Sequence, residues 1–194
     1  MRPWKLLLWA SILASPAVAP ATASEIFTPA PDGTLVHAES GAKFPSSIAG
    51  FERVGERVFD GRGEYVGVAY RRGLDGGGDI FLTIAIVHIE QMTPKEHFLI
   101  AKPLVLRKLT NVTPISEGQY LRPGKGLDGY LGLFEAEYQG KPVGVALWTF
   151  DRGYWDLRGR VEFPRDKRAE TQAAIDQFVD AFTALDQPYR TPTR

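Results

Sequence analysis

The stretch VGVALWTFDRGYWDLRGRVEF, Val143 to Phe163, decides the fold, because it reads as two β-strands joined by a short loop. In its second arm Trp155, Leu157, Gly159, Val161 and Phe163 take odd positions, and Tyr154, Asp156, Arg158, Arg160 and Glu162 take even ones. A period of two sets these groups on opposite faces of a strand, one apolar and one polar. Asp151-Arg152-Gly153 has the sequence of a three-residue hairpin loop, with Gly153 free to adopt positive φ. Such a loop sets Phe150 opposite Tyr154, and Leu147 and Val143 opposite Leu157 and Val161 on the apolar side. On the polar side it sets Trp148 opposite Asp156 and Ala146 opposite Arg158. A two-residue loop shifts the pairing by one and opposes apolar to polar residues, so the three-residue loop is expected.

Upstream, Tyr130, Gly132, Phe134, Ala136 and Tyr138 alternate with Leu131, Leu133, Glu135 and Glu137, and Gln139-Gly140-Lys141-Pro142 turns the chain into the hairpin. A strand near Pro114 to Leu121 precedes them, across the loop Arg122-Pro123-Gly124-Lys125-Gly126. Thr93-Pro94-Lys95-Glu96 is a helix start: Thr93 as N-cap, Pro94 at the first helical position and Glu96 closing a capping box. The spacing of Phe98, Ala101, Val105 and Leu109 predicts a helix to about Leu109, kinked or divided at Pro103. Ile80 to Ile89 is apolar on both faces, as an interior strand would be. Before it, strands near Phe51 to Phe59 and Glu64 to Arg71 flank Asp60-Gly61-Arg62-Gly63 and form a hairpin. Leu74-Asp75-Gly76-Gly77-Gly78-Asp79 opens into a strand rather than a helix and lacks the acidic spacing of a calcium loop, so it reads as a plain hairpin loop. After Pro164 the period changes: Ile175, Phe178, Val179, Phe182 and Leu185 recur at helical spacing, with Asp166 as the expected cap. Small residues on the strands, among them Gly67, Ala69, Gly132, Gly144, Ala146 and Gly159, would let a helix approach closely.

Arg2 and Lys5 lead into the apolar run Leu6 to Ala14, and Ala21-Thr22-Ala23 follows. This is the pattern of a secretory signal peptide cut after Ala23, the run being shorter than the ~20 residues of a membrane span. The expected organisation is a cleaved leader over 1–23, an extended lead-in over 24–43, one α+β domain over 44–187 and a tail over 188–194. Loss of Arg2 and Lys5 turns 23 basic residues into 21 against 23 acidic, a net charge near −2. That balance argues against nucleic acid as a partner. With no Cys in 194 residues, disulfides, thiolate metal sites and Cys nucleophiles are excluded. An exported, cysteine-free chain with an Ala-x-Ala leader end is expected in a bacterial periplasm.

Motifs of catalysis are absent: His37, His88 and His97 stand far apart, with no Gly-x-Ser-x-Gly elbow and no His-Glu-x-x-His pair. Each histidine reads as a structural or surface residue. The candidate recognition patch is the polar face of the hairpin, where Trp148, Phe150 and Tyr154 stand beside Asp156, Arg158 and Arg160, a combination typical of interface hot spots. A sheet face of cross-strand ion pairs, covered in part by a helix, accounts for the same residues. Glu135 and Glu137 could then approach Arg158 and Arg160. A hydrolase built on Glu135, Glu137 and Asp156 is disfavoured by those basic neighbours, which would depress the carboxyl pKa values.

The phrases Phe44-Pro45 and Trp155-x-Leu157-x-Gly159 recur in an order of elements that resembles the PsbP/Mog1-like fold, as well as small exported proteobacterial proteins of unknown function. The order is a hairpin, a long strand, a Thr-Pro-capped helix, three antiparallel strands and a terminal amphipathic helix. The resemblance covers most of Phe44 to Leu185 and implies an antiparallel sheet of about six to seven strands flanked by helices, in proteins that bind or assist others and are seldom enzymes. The function expected is that of a soluble exported binding or accessory module without a cofactor, whose partner is a periplasmic protein or a small ligand. An enzyme with an unrecognised site is the alternative.

Overall fold

The computed structural model describes residues 26–89, 91–122 and 127–185. The expected leader, the 188–194 tail and most of the Arg122 to Gly126 loop lie outside them. Strands β1 (Phe27–Pro29), β2 (Leu35–His37) and β3 (Lys43–Phe44) make a small sheet, so the lead-in is folded rather than merely extended, with Phe27, His37 and Phe44 buried. The main sheet takes β4 (Ser47–Ile48), β5 (Phe51–Val58), β6 (Tyr65–Gly73), β7 (Asp79–His88), β8 (Thr110–Arg122), β9 (Leu127–Tyr138), β10 (Lys141–Asp151) and β11 (Trp155–Pro164). Its order is β4-β5-β6-β7-β11-β10-β9-β8, each neighbour antiparallel. The fold is α+β, with eight strands where six to seven were expected. The additional strand, β4, has two residues and is too short to show a period.

Two meanders make this sheet. The first runs β4 to β7; helix α1 (Pro94–Leu106) then carries the chain to the far edge at β8, and β9, β10 and β11 step back until β11 pairs with β7. Strand β7 lies inside the strand order as expected for Ile80 to Ile89, but only one of its faces is covered; on the other Phe81 is exposed and Thr83 and Ala85 border an open groove. Thr93 caps α1 as the capping box requires, its hydroxyl accepting from the Glu96 N–H while the Glu96 carboxylate accepts from the Thr93 N–H. The helix runs through Pro103 undivided. The carbonyl that proline leaves unpaired belongs to Leu99, an exposed residue that water reaches. The edge strand β8 is blunted by register shifts on either side of Pro114. Helix α2 (Arg168–Ala184) follows a 3₁₀ turn over Arg165–Lys167, so Asp166 lies in that turn and makes no cap.

The register of the central hairpin corrects the sequence reading. Phe150 pairs with Leu157, Trp148 with Gly159, Ala146 with Val161 and Asp151 with Asp156, which closes a loop of four residues instead of three. Asp151 Oδ1 accepts the Gly153 N–H at 2.7 Å and folds the turn, Gly153 taking φ +86°, while Trp155 is drawn into pairing with His88 of β7. Every residue from Gly144 to Phe150 is buried, because the two helices cover β10 on opposite faces. A strand that is dry on both faces carries no alternation from which parity can be read.

Each helix builds its own core. Beneath α2 lie Val66, Val68, Tyr70, Ile80, Leu82, Ile84 and Ile86 with Trp148, Phe150, Leu157 and Val161, closed by Ile175, Phe178, Val179 and Phe182. Phe178 meets Phe51 at 5.2 Å and Tyr70 at 5.4 Å between ring centroids. Leu185, expected in this stripe, sits at the helix end and is exposed. Beneath α1 a smaller core joins Phe98, Ala101, Val105 and Leu109 to Phe134, Ala136, Val145 and Leu147. Helix α1 thus covers β9, β10 and, through His97, Asp156 at the start of β11, and leaves the same face of β5, β6, β7 and the rest of β11 open.

Candidate functional site

Small residues form the floor of the open half. Register places Arg57, Gly67, Ala85 and Arg158 side by side across β5, β6, β7 and β11, and Gly55, Ala69, Thr83 and Arg160 in the adjoining row. Strands lie ~4.8 Å apart, so Arg57 and Arg158 stand about 14 Å from each other with two small residues between them. The opposite faces of β6 and β7 carry Val66, Val68, Ile84 and Ile86 beneath α2. Large side chains fill one face of these strands and leave space on the other. The result is a groove of about 600 Å³ between β5 and the C-terminal end of α1, which contributes Leu104, Val105, Arg107 and Lys108.

Its electrostatics are one-sided. Arg57, Arg107, Lys108, Arg158 and Arg160 line it against one carboxylate, Glu56, for a formal +4 in a chain whose whole charge is 0. Arg57 lies over the Phe59 ring, Phe59 stacks on Tyr65 at 4.2 Å, and Arg158 lies over the Tyr65 ring while donating to its hydroxyl. Each ring thus carries a guanidinium group, a wall held by cation–π contact rather than by ion pairs. Arg160 pairs with Glu162, yet its buried Nε has no hydrogen-bond partner among the described residues. No carboxylate among the described residues forms an ion pair with Arg57, Arg107, Lys108 or Arg158.

The six residues of the expected patch are divided by the fold. Trp148 and Phe150 are buried on the α2 face, since the true register turns the even positions of β10 toward that helix. Asp156 is buried beneath α1, and Tyr154 is exposed in the hairpin loop. Arg158 and Arg160 lie half-buried in the groove. Glu135 pairs with Arg168 and Glu137 accepts from Asn111, so neither meets Arg158 or Arg160, and Glu135, Glu137 and Asp156 do not converge on a hydrolytic site. The sequence reading missed Arg57, Phe59, Tyr65, Leu104, Arg107 and Lys108. The small residues at period two in Gly67-x-Ala69 and Thr83-x-Ala85 were the available signal.

Asp156 and His97 form a separate polar feature. His97 Nδ1 lies 2.7 Å from Asp156 Oδ2, with side-chain exposures of 3% and 1%. Burial holds the Asp156 carboxyl above the ordinary carboxylate range, against the opposing pull of the His97 hydrogen bond. A His-Asp pair activates a nucleophile only where substrate can reach it. This one is sealed, and with the Thr149 hydroxyl donating to the Pro94 carbonyl at 2.7 Å it fastens the first turn of α1 to the sheet. On the opposite side of β11, Trp155 lies between His37 and His88, ring centroids 5.3 and 5.1 Å away. His37 Nδ1 sits 2.7 Å from Ser40 Oγ, and burial lowers the imidazole pKa to about 4 despite the Gly63 backbone and Asp60. Among the described residues no group of three or more His, Asp or Glu side chains is placed to hold a metal ion.

Fold and groove together define an α+β sheet protein with one face half open and lined by cations. No protein-family model matches the chain, and no curated protein matches it in sequence. Among solved structures it is similar to LpqN of Mycobacterium tuberculosis, described as involved in cell envelope biogenesis, at 13% identity and a TM-score of 0.43 over 66% of this chain and 75% of that one. A likeness this slight carries no argument about role. No helix among the described residues is long and apolar enough to cross a membrane.

Proposed function

We propose that this chain is an exported accessory module of PsbP/Mog1-like fold that binds a small anionic ligand in the groove over β5, β6, β7 and β11. The observation that carries the reading is the set of five cations around a floor of small residues, four of the cations forming no ion pair with a carboxylate among the described residues. A volume of about 600 Å³ suits a small molecule, whose sites span roughly 300 to 1,000 Å³. The cations also give the site its selectivity, since Arg and Lys recognise oxyanions through charge-assisted hydrogen bonds. Export rests on the leader pattern of residues 1–23 and places the module in a periplasm, where a protein without cysteine has no disulfides to form.

Thermal unfolding with pyrophosphate, citrate or an uncharged sugar tests the site, because a ligand that binds the folded state alone raises the melting temperature. Both anions should stabilise the wild type, and the sugar should not. An Arg57→Ala/Lys108→Ala variant should lose the response. An Arg62→Ala/Arg165→Ala control removes the same charge away from the groove and should keep it. Equal responses from the two variants would reduce the effect to bulk charge and overturn the reading.

A further inference from the structure

We propose that the groove's ligand is an anionic amphiphile, an oxyanion head group on a single aliphatic chain; the inference rests on the anion-binding reading above and names its ligand class. Four of the five cations stand away from β5: Arg158 and Arg160 two residues apart on β11, and Arg107 and Lys108 just beyond the last turn of α1, while Arg57 faces them across the floor from β5. Apart from Arg57, Glu56 and the hydroxyls of Tyr65 and Thr83, the rest of the lining is apolar or small. Gly67, Ala69 and Ala85 form a floor whose one hydroxyl is that of Thr83, and Phe59 and Leu104 flank it with 40% and 56% of their surface exposed. Ile100, also 56% exposed, lies one turn before Leu104 on the same side of α1 and continues the stripe away from the cations.

A lone exposed leucine needs no explanation, but apolar side chains lining the same groove as uncompensated cations do. A bare oxyanion would answer the arginines and leave the floor, Phe59 and Leu104 in water. A neutral hydrocarbon would bury those surfaces beside cations with nothing to pair. A molecule with both parts meets both demands. Protein interiors are close-packed; the Phe59 ring fills the space over Gly67, and the room left above Ala69, Thr83 and Ala85 is a space for something other than this chain's own side chains.

The test compares dodecyl phosphate below its micelle concentration, inorganic phosphate, dodecyl maltoside and a hexaglutamate peptide by titration calorimetry on the mature chain. Dodecyl phosphate should bind at least tenfold more tightly than each of the others. Leu104→Asn should weaken dodecyl phosphate several-fold and leave inorganic phosphate unchanged; Arg158→Ala should weaken both, with the exposed Arg57→Ala as a second variant if Arg158→Ala does not fold. Inorganic phosphate binding as tightly as dodecyl phosphate would overturn the aliphatic chain while leaving the anion site standing. Maltoside binding as tightly would overturn the head group, and tighter binding of hexaglutamate would give the groove to acidic peptides. Binding by neither phosphate would overturn both this inference and the function on which it rests.

Discussion

Gly159 faces the ring of Trp148 across the β10–β11 pair, and a Cβ there would run into the indole carbons. Gly144 stands in the same relation to Phe163, and Gly129 to Phe150. These glycines let a neighbouring aromatic ring lie across the sheet; of the glycines expected to admit a helix, Gly132 does so, against Phe98 of α1. Because Trp148 is fully buried and cannot swing aside, Gly159→Ala should cost about 2 to 3 kcal/mol, read from the midpoint of denaturant unfolding. A change under 0.5 kcal/mol would mean that the ring does not lie there. His37 sets a pH dependence. Its native pKa, about 4, lies below the 6.5 of the unfolded chain, so the unfolded state takes up the proton first as pH falls. Stability from this residue is intact above about pH 6.5, declines as pH falls toward 4 by roughly 3 kcal/mol in all, and is flat below. Asp156, whose carboxyl is raised, acts with the opposite sign, its contribution present at low pH and lost as pH rises through its native value. Subtracting the pH profile of His37→Gln from that of the wild type isolates the histidine, and a flat difference between pH 4 and 6.5 would contradict its burial.

Among the elements, amphipathic pattern and caps made the helices and β11 legible in the sequence, whereas the register of the doubly buried β10 was not. Helix α1 announced itself through Thr93, Pro94 and Glu96, and α2 through Ile175, Phe178, Val179 and Phe182. The odd positions of β11 were rightly read as its dry face toward α2. The partner positions on β10 were assigned to the wrong parity, since helices on both sides make all of Gly144 to Phe150 apolar or small and only the Asp151 turn fixes the pairing. Thr93→Ala removes a cap hydroxyl and should lower stability by about 1 kcal/mol. Phe178→Ala removes a ring that meets Phe51, Tyr70 and Phe182, and should cost about 3 to 5 kcal/mol. Equal losses in the two variants, measured by chemical denaturation, would contradict the placement of α2 as the main lid.

At the scale of the molecule, the working surface follows from an asymmetry between two helices and one sheet. Helix α2 closes a continuous core of aromatic and branched residues, whereas α1 is anchored over β9, β10 and the first residues of β11 by Phe98, Pro94 and His97 and reaches no further. Arg158 and Arg160 could be named from the sequence because they sit on a strand of clear period. Arg57, Arg107 and Lys108 could not, because only the long crossing from β7 to β8 brings the end of α1 opposite β5. If the chain is exported as its leader pattern indicates, the mass of the protein recovered from the periplasm should correspond to a chain beginning at Ser24; recovery with Met1 intact would remove that step. The most direct test of the open face is a map of backbone amide shifts during titration with pyrophosphate. Shifts should concentrate at Arg57, Gly67, Ala69, Thr83, Ala85 and Arg158. Shifts spread evenly over exposed cations such as Arg62, Arg165 and Arg168, with none on that floor, would contradict it.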